Sequence, residues 1–545
     1  MTATILAVGP GGVGVAYLES VALGLEVEKV LPGEKVQAEI LWLRPLRGPY
    51  RRTWQAWQQR VPALAAVATP GWFGRAQAVG VLEPVQARQS PACPHFGACG
   101  GCSWQHARYE VQLERKRQTV IAALGRVVGK ASPPAPGQTA SGATQTPLVD
   151  LNQLVEPVIP SPRQWGYRNK LEFTFDAQAN LGFHTPGRYW EILPAPQCRI
   201  GSEEMVAAAR LVSGWAKEKG LPGYDQRNST GFLRHLVVRQ AQATGELMVA
   251  LETFPPPPPT PQPPAQSPEP AGELLPQSPE SASGPSSAPP QLASLPELPD
   301  SPAAFPYAGE LVARLKAALP HLTSVLWLCN PSPSDVVKVE NGRLLVLYGR
   351  PYIEEKLAGL TFRIELPTFF QTNTAQAETL VRLAREAAAP NPSDLLFDLY
   401  CGVGTFSLPL ASACRQVVGI EIVAAAVAAA QANAERNGVG NAAFLAGDTR
   451  RVWDQAVATF GGPDVVLLDP PRSGAGGKVI RRIGRTSPRR VVYVSCNPQT
   501  LADDLAELLP FGYRLARVQP VDLFPHTDHV ETVAMLERTG QGGKE

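Results

Sequence analysis

The stretch LLFDLYCGVGTF, residues 395–406, decides the fold of this 545-residue chain. Its composition indicates a buried strand that enters a glycine turn and continues into a helix. A second strand, residues 417–421, ends in an acid about 20 residues later, where a carboxylate can hold ribose hydroxyls. This pattern is typical of nucleoside-binding doubly wound sheets. We therefore predict an α/β fold with a Rossmann-like domain at 367–545.

The strands that follow also end in acids. Residues 443–447 lead to Asp448, which we expect to reach an adenine amino group. Residues 465–468 form a buried strand that leads to Asp469, the first residue of an Asp-Pro-Pro tip. Because parallel strands end at one edge of a sheet, we expect these acids to lie beside the glycine turn.

The glycine turn distinguishes between two classes of nucleoside cofactor. It contains only Gly402 and Gly404 and lacks the third glycine of a dinucleotide motif. S-adenosylmethionine has no pyrophosphate for a helix N-terminus to hold. The turn therefore favours S-adenosylmethionine over NAD.

The segment VVYVSCNP, residues 491–498, delivers a cysteine to the next strand tip. C5 of a pyrimidine is not nucleophilic until a thiolate adds to C6, and a base must then remove the C5 proton. Cys496 is the candidate nucleophile, and Glu531 in DHVETV is the candidate base. The alternative for each is structural: a lone cysteine is more often a buried hydrophobe, and the polar side chains at 526–531 are more often at the surface.

Three of the eight cysteines lie in CPHFGACGGCSWQ, residues 93–105. Their C-x5-C-x2-C spacing on a glycine-rich loop indicates a metal site, and Cys198 is the next cysteine that could complete it. Zinc accepts four cysteines, or a Cys3His set that includes His95. A [4Fe-4S] cluster is the other candidate, because it is usually bound by four thiolates.

Residues 1–90 alternate in polarity between Gly and Pro turns, which predicts a small β-barrel. The segment LRPLRGPYRRTWQAWQQR, residues 43–60, has no acidic residue. Arginines neutralise phosphates and aromatic faces stack on unpaired bases, so we interpret it as an RNA-binding insert rather than a solvated loop with tryptophans packed on the barrel. The residues concerned are Arg44, Arg47, Arg51, Arg52, Arg60, Tyr50, Trp54 and Trp57.

Residues 91–366 are predicted to form a central α+β domain. Arg168 and Lys170 share one face of a strand and could meet phosphate. Residues 131–147 have the composition of a linker. In the segment 255–302, 18 of 48 residues are proline and none is Lys or Arg, which predicts disorder. The strands on either side of this segment should be neighbours, so we interpret it as an insertion.

The overall composition excludes several classes of protein. A net charge of +2 means that any contact with nucleic acid depends on local patches. No apolar run is long enough for a membrane span, and the first residues lack the features of a signal peptide, so we expect a cytoplasmic protein. Eight cysteines are too few for a secreted disulfide scaffold of this length. No obligate protein partner is evident.

Together these motifs resemble the RNA uracil-5 methyltransferases, and in particular the iron-sulfur type that modifies 23S ribosomal RNA. The match rests on the cysteine motif with QCRI, on FFQTN at 369–373, DLYCGVGTF at 398–406 and LLDPPRSGAG at 467–476, and on VYVSCNPQTLADD and HVETV. The N-terminal barrel resembles the TRAM domain, an OB-like RNA-binding module.

The resemblance implies S-adenosylmethionine-dependent methylation of C5 of a uridine in RNA, with ribosomal RNA favoured over tRNA. It implies Cys496 as the nucleophile and Glu531 as the base. It implies a [4Fe-4S] cluster bound by Cys93, Cys99, Cys102 and Cys198. It also implies cofactor contacts from Gln371, Tyr400, Thr405, Glu421, Asp448 and Asp469.

Other functions remain open from the sequence. An RNA cytosine-5 methyltransferase would use the same thiol chemistry on a base with a 4-amino group, and a tRNA uracil-5 methyltransferase would differ only in substrate. A non-catalytic RNA-binding or redox protein could use the barrel and the cysteine motif alone.

Overall fold

The structure, a computed structural model, describes residues 1–8, 13–18, 21–60, 64, 67–128, 150–195, 197–225, 228, 230–256, 298–332, 337 and 342–539. The predicted linker at 131–147 lies outside these residues. Of the predicted insert at 255–302, only residues 255–256 and 298–302 lie within them. No helix in the described ranges is long and apolar enough to cross a membrane.

The N-terminal strands form a closed five-stranded barrel, as the alternation predicts. Alternate apolar side chains point inward, so Leu25, Val27 and Val36 are fully buried. The first strand pairs with the second and the fourth, and this closes the barrel. The elements are β1 (Thr2–Val8), β2 (Gly14–Leu18), β3 (Leu23–Glu28), β4 (Lys35–Pro45), α1 (Gly48–Arg60) and β5 (Trp72–Glu83).

Helix α1 packs on the barrel through its aromatic side chains. Trp54 and Trp57 are buried, and their ring centroids lie 6.4 and 5.5 Å from that of Phe73 on β5. Tyr50 also stacks on Phe73. The interpretation of Trp54 and Trp57 as base-stacking residues is therefore wrong. Three residues apart on a helix, they share the face that the barrel covers.

A seven-stranded sheet with the order β12-β11-β10-β9-β6-β7-β8 forms the middle of the chain, and a two-stranded hairpin, β13-β14, follows it. Helices α4 and α5 cover one face of the large sheet, where Trp215 and Trp327 are buried. The elements are α2 (Tyr109–Leu124), α3 (Leu151–Leu154), β6 (Lys170–Phe175), β7 (Leu181–Thr185), β8 (Arg188–Pro194), α4 (Glu203–Glu218), β9 (Leu233–Gln240), β10 (Leu247–Thr253), α5 (Ala308–Ala318), β11 (Leu322–Cys329), β12 (Arg343–Gly349), β13 (Tyr352–Leu357) and β14 (Leu360–Glu365).

The strands β10 and β11, on either side of the proline-rich segment, are direct neighbours. They pair in parallel along their whole length, with Leu251 opposite Trp327. Every residue of β10 is buried. The proline-rich segment is therefore an insertion between adjacent strands of one sheet, as the sequence predicts.

The C-terminal sheet has the order β17-β16-β15-β18-β19-β21-β20, with β21 antiparallel to its neighbours. The order reverses between β15 and β18, which makes that edge the expected ligand site of a Rossmann-like fold. The elements are α6 (Thr374–Ala388), β15 (Leu395–Leu399), α7 (Ser407–Ala411), β16 (Gln416–Glu421), α8 (Ala424–Arg436), β17 (Ala442–Ala446), α9 (Thr449–Phe460), β18 (Val465–Leu468), α10 (Gly477–Thr486), β19 (Arg490–Ser495), α11 (Pro498–Leu508), β20 (Tyr513–Val521) and β21 (Glu531–Arg538).

Part of the region that the sequence assigns to the central domain packs on the C-terminal sheet. Helix α2 lies against α11, and an Arg126 guanidinium nitrogen donates to the carbonyl of Gln499 at 3.0 Å. Val155 forms a parallel bridge to Val518 on the edge strand β20. The C-terminal core is thus completed by residues far upstream in the chain.

Candidate active site

One cavity of about 910 Å³ opens at the carboxyl ends of β15, β16, β18 and β19. Seven of the eight residues predicted to act in catalysis or cofactor binding line it. The exception is Thr405, which is buried in the turn after β15 and is not among the lining residues, so its cofactor contact stays a prediction. The seven are Gln371, Tyr400, Glu421, Asp448, Asp469, Cys496 and Glu531.

Cys496 lies half-buried directly after β19, whose residues 491–495 are all buried. The Asn497 side chain caps α11 by accepting from the N–H of Gln499 at 3.1 Å, and Pro498 occupies the first helical position. The strand therefore ends and the helix begins within two residues. This abrupt change leaves the thiol at the wall of the cavity.

Glu531 begins β21, the antiparallel strand beside β19. Ser495 pairs with Thr532. Cys496 follows Ser495 and Glu531 precedes Thr532, so the strand register places the thiol and the carboxyl side by side. Glu531 is only 3% exposed, unlike the surface position that is usual for a glutamate.

Three ionisable groups that line the cavity, Cys496, Glu531 and Asp469, have raised pKa values. Burial raises the pKa of Glu531 to about 7, while the charge of Arg472 opposes this rise. Burial and the carboxylates of Glu531 and Asp469 raise the pKa of Cys496 to about 11, again opposed by Arg472. The pKa of Asp469 is well above its ordinary value, because of burial and the charge of Glu531. The resting thiol is therefore protonated, whereas Glu531 is poised to gain or lose a proton near neutral pH.

Arg472 follows the Asp-Pro-Pro tip and is held by the turn that carries the cysteine. Its carbonyl accepts from Asn497 Nδ2 at 3.0 Å and from Thr500 Oγ1 at 3.3 Å. Gln371 Nε2 donates to Asp469 Oδ2 at 3.3 Å on the same tip. The bonds to the Arg472 carbonyl fix the backbone of this residue to the turn that carries the thiol, and the charge of its guanidinium acts on Cys496. An arginine after Asp-Pro-Pro gives no sequence signal for this electrostatic role.

Glu421, at the end of β16, is held at the cavity by two backbone N–H groups. Its carboxylate accepts from Gly402 at 3.1 Å and from Val423 at 2.9 Å. Tyr400 has a left-handed backbone with φ of 64°, and its hydroxyl donates to the carbonyl of Ala475 at 3.4 Å. A carboxylate fixed at this strand tip fits a nucleoside ribose.

Ile422 and Val423 were missed in the sequence analysis. They follow Glu421 directly, line the cavity, and are 64% and 52% exposed. Apolar side chains that remain exposed beside this acid offer a surface on which a flat base could pack. Two aliphatic residues after a strand-terminal acid could have indicated this surface from the sequence.

Asp448 lies at the cavity but already has a charged partner. Its carboxylate accepts from the Arg450 guanidinium, with Nε at 2.9 Å, and caps α9 through the N–H of Arg450. These bonds hold the pKa of Asp448 at about 2. A contact between Asp448 and an adenine amino group would therefore have to share the carboxylate with Arg450.

A second cavity, of about 520 Å³, adjoins the first, and both are lined by Pro367, Thr368 and Phe369. Arg168 and Lys170 also line the second cavity, although Arg168 precedes β6, which begins at Lys170. The cavity is lined by all four cysteines predicted to bind a cluster: Cys93, Cys99, Cys102 and Cys198.

Backbone N–H groups donate to two of the four thiols in this cysteine cavity. The N–H of Gly101 donates to Cys99 Sγ at 3.4 Å. The N–H groups of Ile200 and Gly201 donate to Cys198. Such donors stabilise thiolates, and they accompany the sulfur ligands of iron-sulfur sites. Within the described ranges, no group of three or more His, Cys, Asp or Glu side chains is arranged to hold a metal ion.

Exposed arginines lie on β4, on α1 and between them, and β5 carries an exposed aromatic ring. Trp72, opposite Pro45 at the start of β5, is 49% exposed, in contrast to the buried Trp54 and Trp57. The ion pairs of the described barrel use Lys29, Lys35, Arg75 and Arg88. The exposed arginines without an ion pair in the described barrel are Arg44, Arg47, Arg51 and Arg52.

The sequence matches known methyltransferases over most of its length. The family model for tRNA (uracil-5-)-methyltransferase matches residues 341–539. An uncharacterized RNA methyltransferase of Caldanaerobacter subterraneus is 34% identical, over 86% of this chain and 90% of that protein. An uncharacterized RNA methyltransferase of Gloeobacter violaceus is 33% identical, over 99% of this chain and 96% of its own.

The fold is also similar to a solved structure. The crystal structure of Pyrococcus abyssi tRNA (uracil-54, C5)-methyltransferase in complex with S-adenosyl-L-homocysteine has a TM-score of 0.63 and 25% sequence identity. The similarity covers 98% of this chain and 100% of that one. It therefore includes the barrel and the central sheet as well as the C-terminal sheet.

Proposed function

Because this chain belongs to the family of RNA (uracil-5-)-methyltransferases, we propose that it transfers a methyl group from S-adenosylmethionine to C5 of a uridine in RNA. The observation that carries this proposal is the placement of Cys496 beside Glu531, in the cavity that also contains Glu421. A thiol to activate the ring and a carboxylate to remove the proton are the two groups that the reaction needs.

Cys496 acts as the nucleophile. Its deprotonated sulfur adds to C6 of the uracil, and the electrons of the C5–C6 double bond move to the C4 carbonyl oxygen to form an enolate. C5 then accepts the methyl group that S-adenosylmethionine supplies. Since the resting thiol has a pKa of about 11, we expect Arg472, which lowers this pKa, to favour the thiolate.

Glu531 acts as the base that completes the reaction. It removes the proton from C5, the electrons of that C–H bond re-form the C5–C6 double bond, and the Cys496 sulfur leaves as a thiolate. With a pKa of about 7, Glu531 is partly ionised at neutral pH and can accept this proton. The thiol lies at the wall of a cavity, so the uridine must leave its base stack to reach it.

Analysis of the product tests this function. The enzyme is incubated with S-adenosylmethionine and RNA, and the digested nucleosides are identified by mass spectrometry. We expect 5-methyluridine. Detection of 5-methylcytidine would instead support the cytosine-5 alternative, and the absence of any methylated nucleoside would contradict both. Cys414→Ala serves as the control, because this buried cysteine lines neither cavity.

We propose 23S ribosomal RNA as the substrate, with tRNA as the alternative. The cysteine motif and the barrel support ribosomal RNA through their resemblance to the iron-sulfur type of the family. The Pyrococcus abyssi enzyme of similar fold acts on tRNA. Parallel assays on 23S transcripts and on total tRNA decide between them, and methylation of tRNA alone would contradict our proposal.

The barrel is proposed to bind an unpaired part of the RNA through its exposed arginines and Trp72. Each arginine that neutralises a phosphate should contribute about 0.7 to the slope of log affinity against log salt for single-stranded RNA. Arg51→Ala and Arg52→Ala should each lower this slope, and Trp72→Ala should weaken binding at every salt concentration. Arg382→Ala, on the exposed face of α6, should leave the slope unchanged.

The four cysteines of the second cavity are proposed to hold a [4Fe-4S] cluster. The proposal is supported by the single cavity that they line and by the N–H groups that donate to the sulfurs of Cys99 and Cys198. A cluster would join the segment 93–102 to the loop that carries Cys198. Iron and sulfide analysis, with the absorbance spectrum, tests this proposal in anaerobically purified protein. One zinc per chain without iron would contradict it.

A further inference from the structure

We propose that Gln112 and Tyr167 are positioning residues for Glu531, and that they act through the loop 522–530, which joins β20 to β21. This loop links the cysteine segment 93–104 to the active site. The inference depends on the proposed role of Glu531 as the base.

The two ends of the loop 522–530 lie at the active site. Val521 pairs with Glu531 across the base of the loop, so the strand ends that define the loop also set the position of the carboxyl group. Phe524, within the loop, lines the active-site cavity. A shift of the loop would therefore move both a wall of the cavity and the base.

His526 at the tip of the loop lies against the cysteine segment. Its carbonyl accepts from the N–H groups of Ser103 and Trp104, both at 2.9 Å. Its ring stacks on Trp165, with centroids 3.9 Å apart. His526 has a φ of 68°, which is strained for a side chain with a Cβ and persists only where surrounding contacts enforce it. Those contacts come from the cysteine segment and from its neighbours.

Gln112, fully buried on α2, joins the two segments with one amide group. Its Oε1 accepts from the N–H of His526 at 2.9 Å. Its Nε2 donates to the carbonyls of Trp104 at 3.1 Å and Ala107 at 2.9 Å. Both ends of the amide are used, so an apolar side chain of the same size would release the loop tip.

Tyr167 and Lys116 hold the remainder of the loop. The buried hydroxyl of Tyr167 donates to the carbonyl of Pro525 at 3.1 Å. Lys116 Nζ donates to Asp522 at 2.6 Å and to the carbonyl of Phe524 at 2.9 Å, in a fully buried ion pair. The loop is thus supported along its length by α2 and by Tyr167. Tyr167 directly precedes Arg168, which lines the cysteine cavity. Displacement of the cysteine segment would be transmitted to Glu531.

Accumulation of the covalent RNA adduct tests this inference. The adduct forms through Cys496 and disappears through Glu531, so a misplaced base leaves adduct behind. Gln112→Met should slow its breakdown about 10-fold and raise its steady-state fraction on normal RNA. The rate of adduct formation on 5-fluorouridine RNA should stay unchanged, because that step needs no base. Gln118→Met, on the exposed face of α2, is the matched control and should behave as wild type.

Tyr167→Phe provides a milder second variant, since it removes a single hydroxyl. If Gln112→Met does not fold, Tyr167→Phe tests the positioning inference in its place. Unchanged adduct levels in Tyr167→Phe, or equal losses of adduct formation and breakdown, would overturn the inference. Glu531→Gln, measured in parallel, separates the two proposals. If Glu531→Gln accumulates no adduct, the base role itself fails. If Glu531→Gln accumulates adduct but Gln112→Met and Tyr167→Phe do not, the role of Glu531 stands and only the positioning inference fails.

Discussion

The active-site cavity and the cysteine cavity share a wall at Pro367, Thr368 and Phe369 but are built in different ways. The active site consists mainly of the ends of neighbouring strands, whose hydrogen-bond ladder sets the position of each side chain. The cysteines of the second cavity lie on loops of two distant segments, 93–102 and the stretch around Cys198. Loop-borne ligands depend on the group they bind for their final geometry. We therefore expect single substitutions in the active-site cavity to abolish catalysis without changing the fold. Substitutions in the cysteine cavity should instead impair catalysis indirectly, because the loops lose their structure.

The largest expected effect is that of Cys496→Ala. Without the thiol no covalent addition to C6 occurs, so methylation should fall by at least about 10⁴-fold. The fold should be unchanged, because Cys496 is half-buried at a turn that Asn497 caps independently. Turnover and thermal unfolding are measured together. Activity above about one per cent of wild type would contradict the role of the thiol.

Cys198→Ala should have a large effect on stability and a small effect on activity, the opposite of Cys496→Ala. We expect it to lose the cluster and to lower the melting temperature, while methylation falls only about 10-fold through loosened loops. Metal analysis, calorimetry and turnover on one preparation give all three values. Cys329→Ala, buried in the central sheet, is the control and should keep its metal. An unchanged metal content in Cys198→Ala would show that Cys198 is not a ligand.

The pH dependence of turnover shows whether Glu531 or another group titrates as the base. The raised pKa of Glu531 means that the carboxyl ionises as the pH rises through about 7. When proton removal limits the rate, turnover should rise about 10-fold between about pH 6 and pH 8. In Glu531→Gln the residual rate should lack this rise. An identical profile in the variant would assign the titration to another group.

The smallest expected effect is on stability. A carboxyl whose pKa is raised from 4.5 to about 7 in the folded state makes that state less stable as the pH rises between these values. Replacing it by a neutral amide should stabilise the protein by about 3 kcal/mol at pH 8, and by nothing below about pH 4. Denaturant unfolding at both pH values checks this. Equal stability at pH 8 would mean that burial of Glu531 has no cost.

The C-terminal sheet and most of its site were predictable because strand tips follow from local patterns. Buried runs that end in Glu421, Asp469 and Cys496 require only that parallel strands end at one edge. The closeness of Glu531 to Cys496 depends on the antiparallel register of β21, which no local pattern shows. In the same way, the partner of Asp448 could not be predicted, since Arg450 has to turn back toward the cap of its own helix.

The barrel insert and the loop 522–530 show where sequence patterns fail. The sequence pattern of α1 predicts aromatic contacts with RNA, but helical spacing turns Trp54 and Trp57 toward the barrel. The exposed ring belongs to Trp72 in the following strand. His526 has the polarity of a surface residue. It is buried because its ring stacks on Trp165 and its N–H donates to Gln112, more than 400 positions away in the chain. Such contacts are set by tertiary packing alone.

The central claim is that Cys496 adds covalently to the uracil ring, and a trapped adduct tests it most directly. Enzyme is incubated with S-adenosylmethionine and RNA in which 5-fluorouridine replaces uridine, because fluorine at C5 cannot leave as a proton. Protease digestion and mass spectrometry then locate the nucleotide on a peptide. We predict a stable adduct at Cys496 that carries the added methyl group. Enzyme that methylates normal RNA yet forms no adduct, or forms one at another residue, would contradict it.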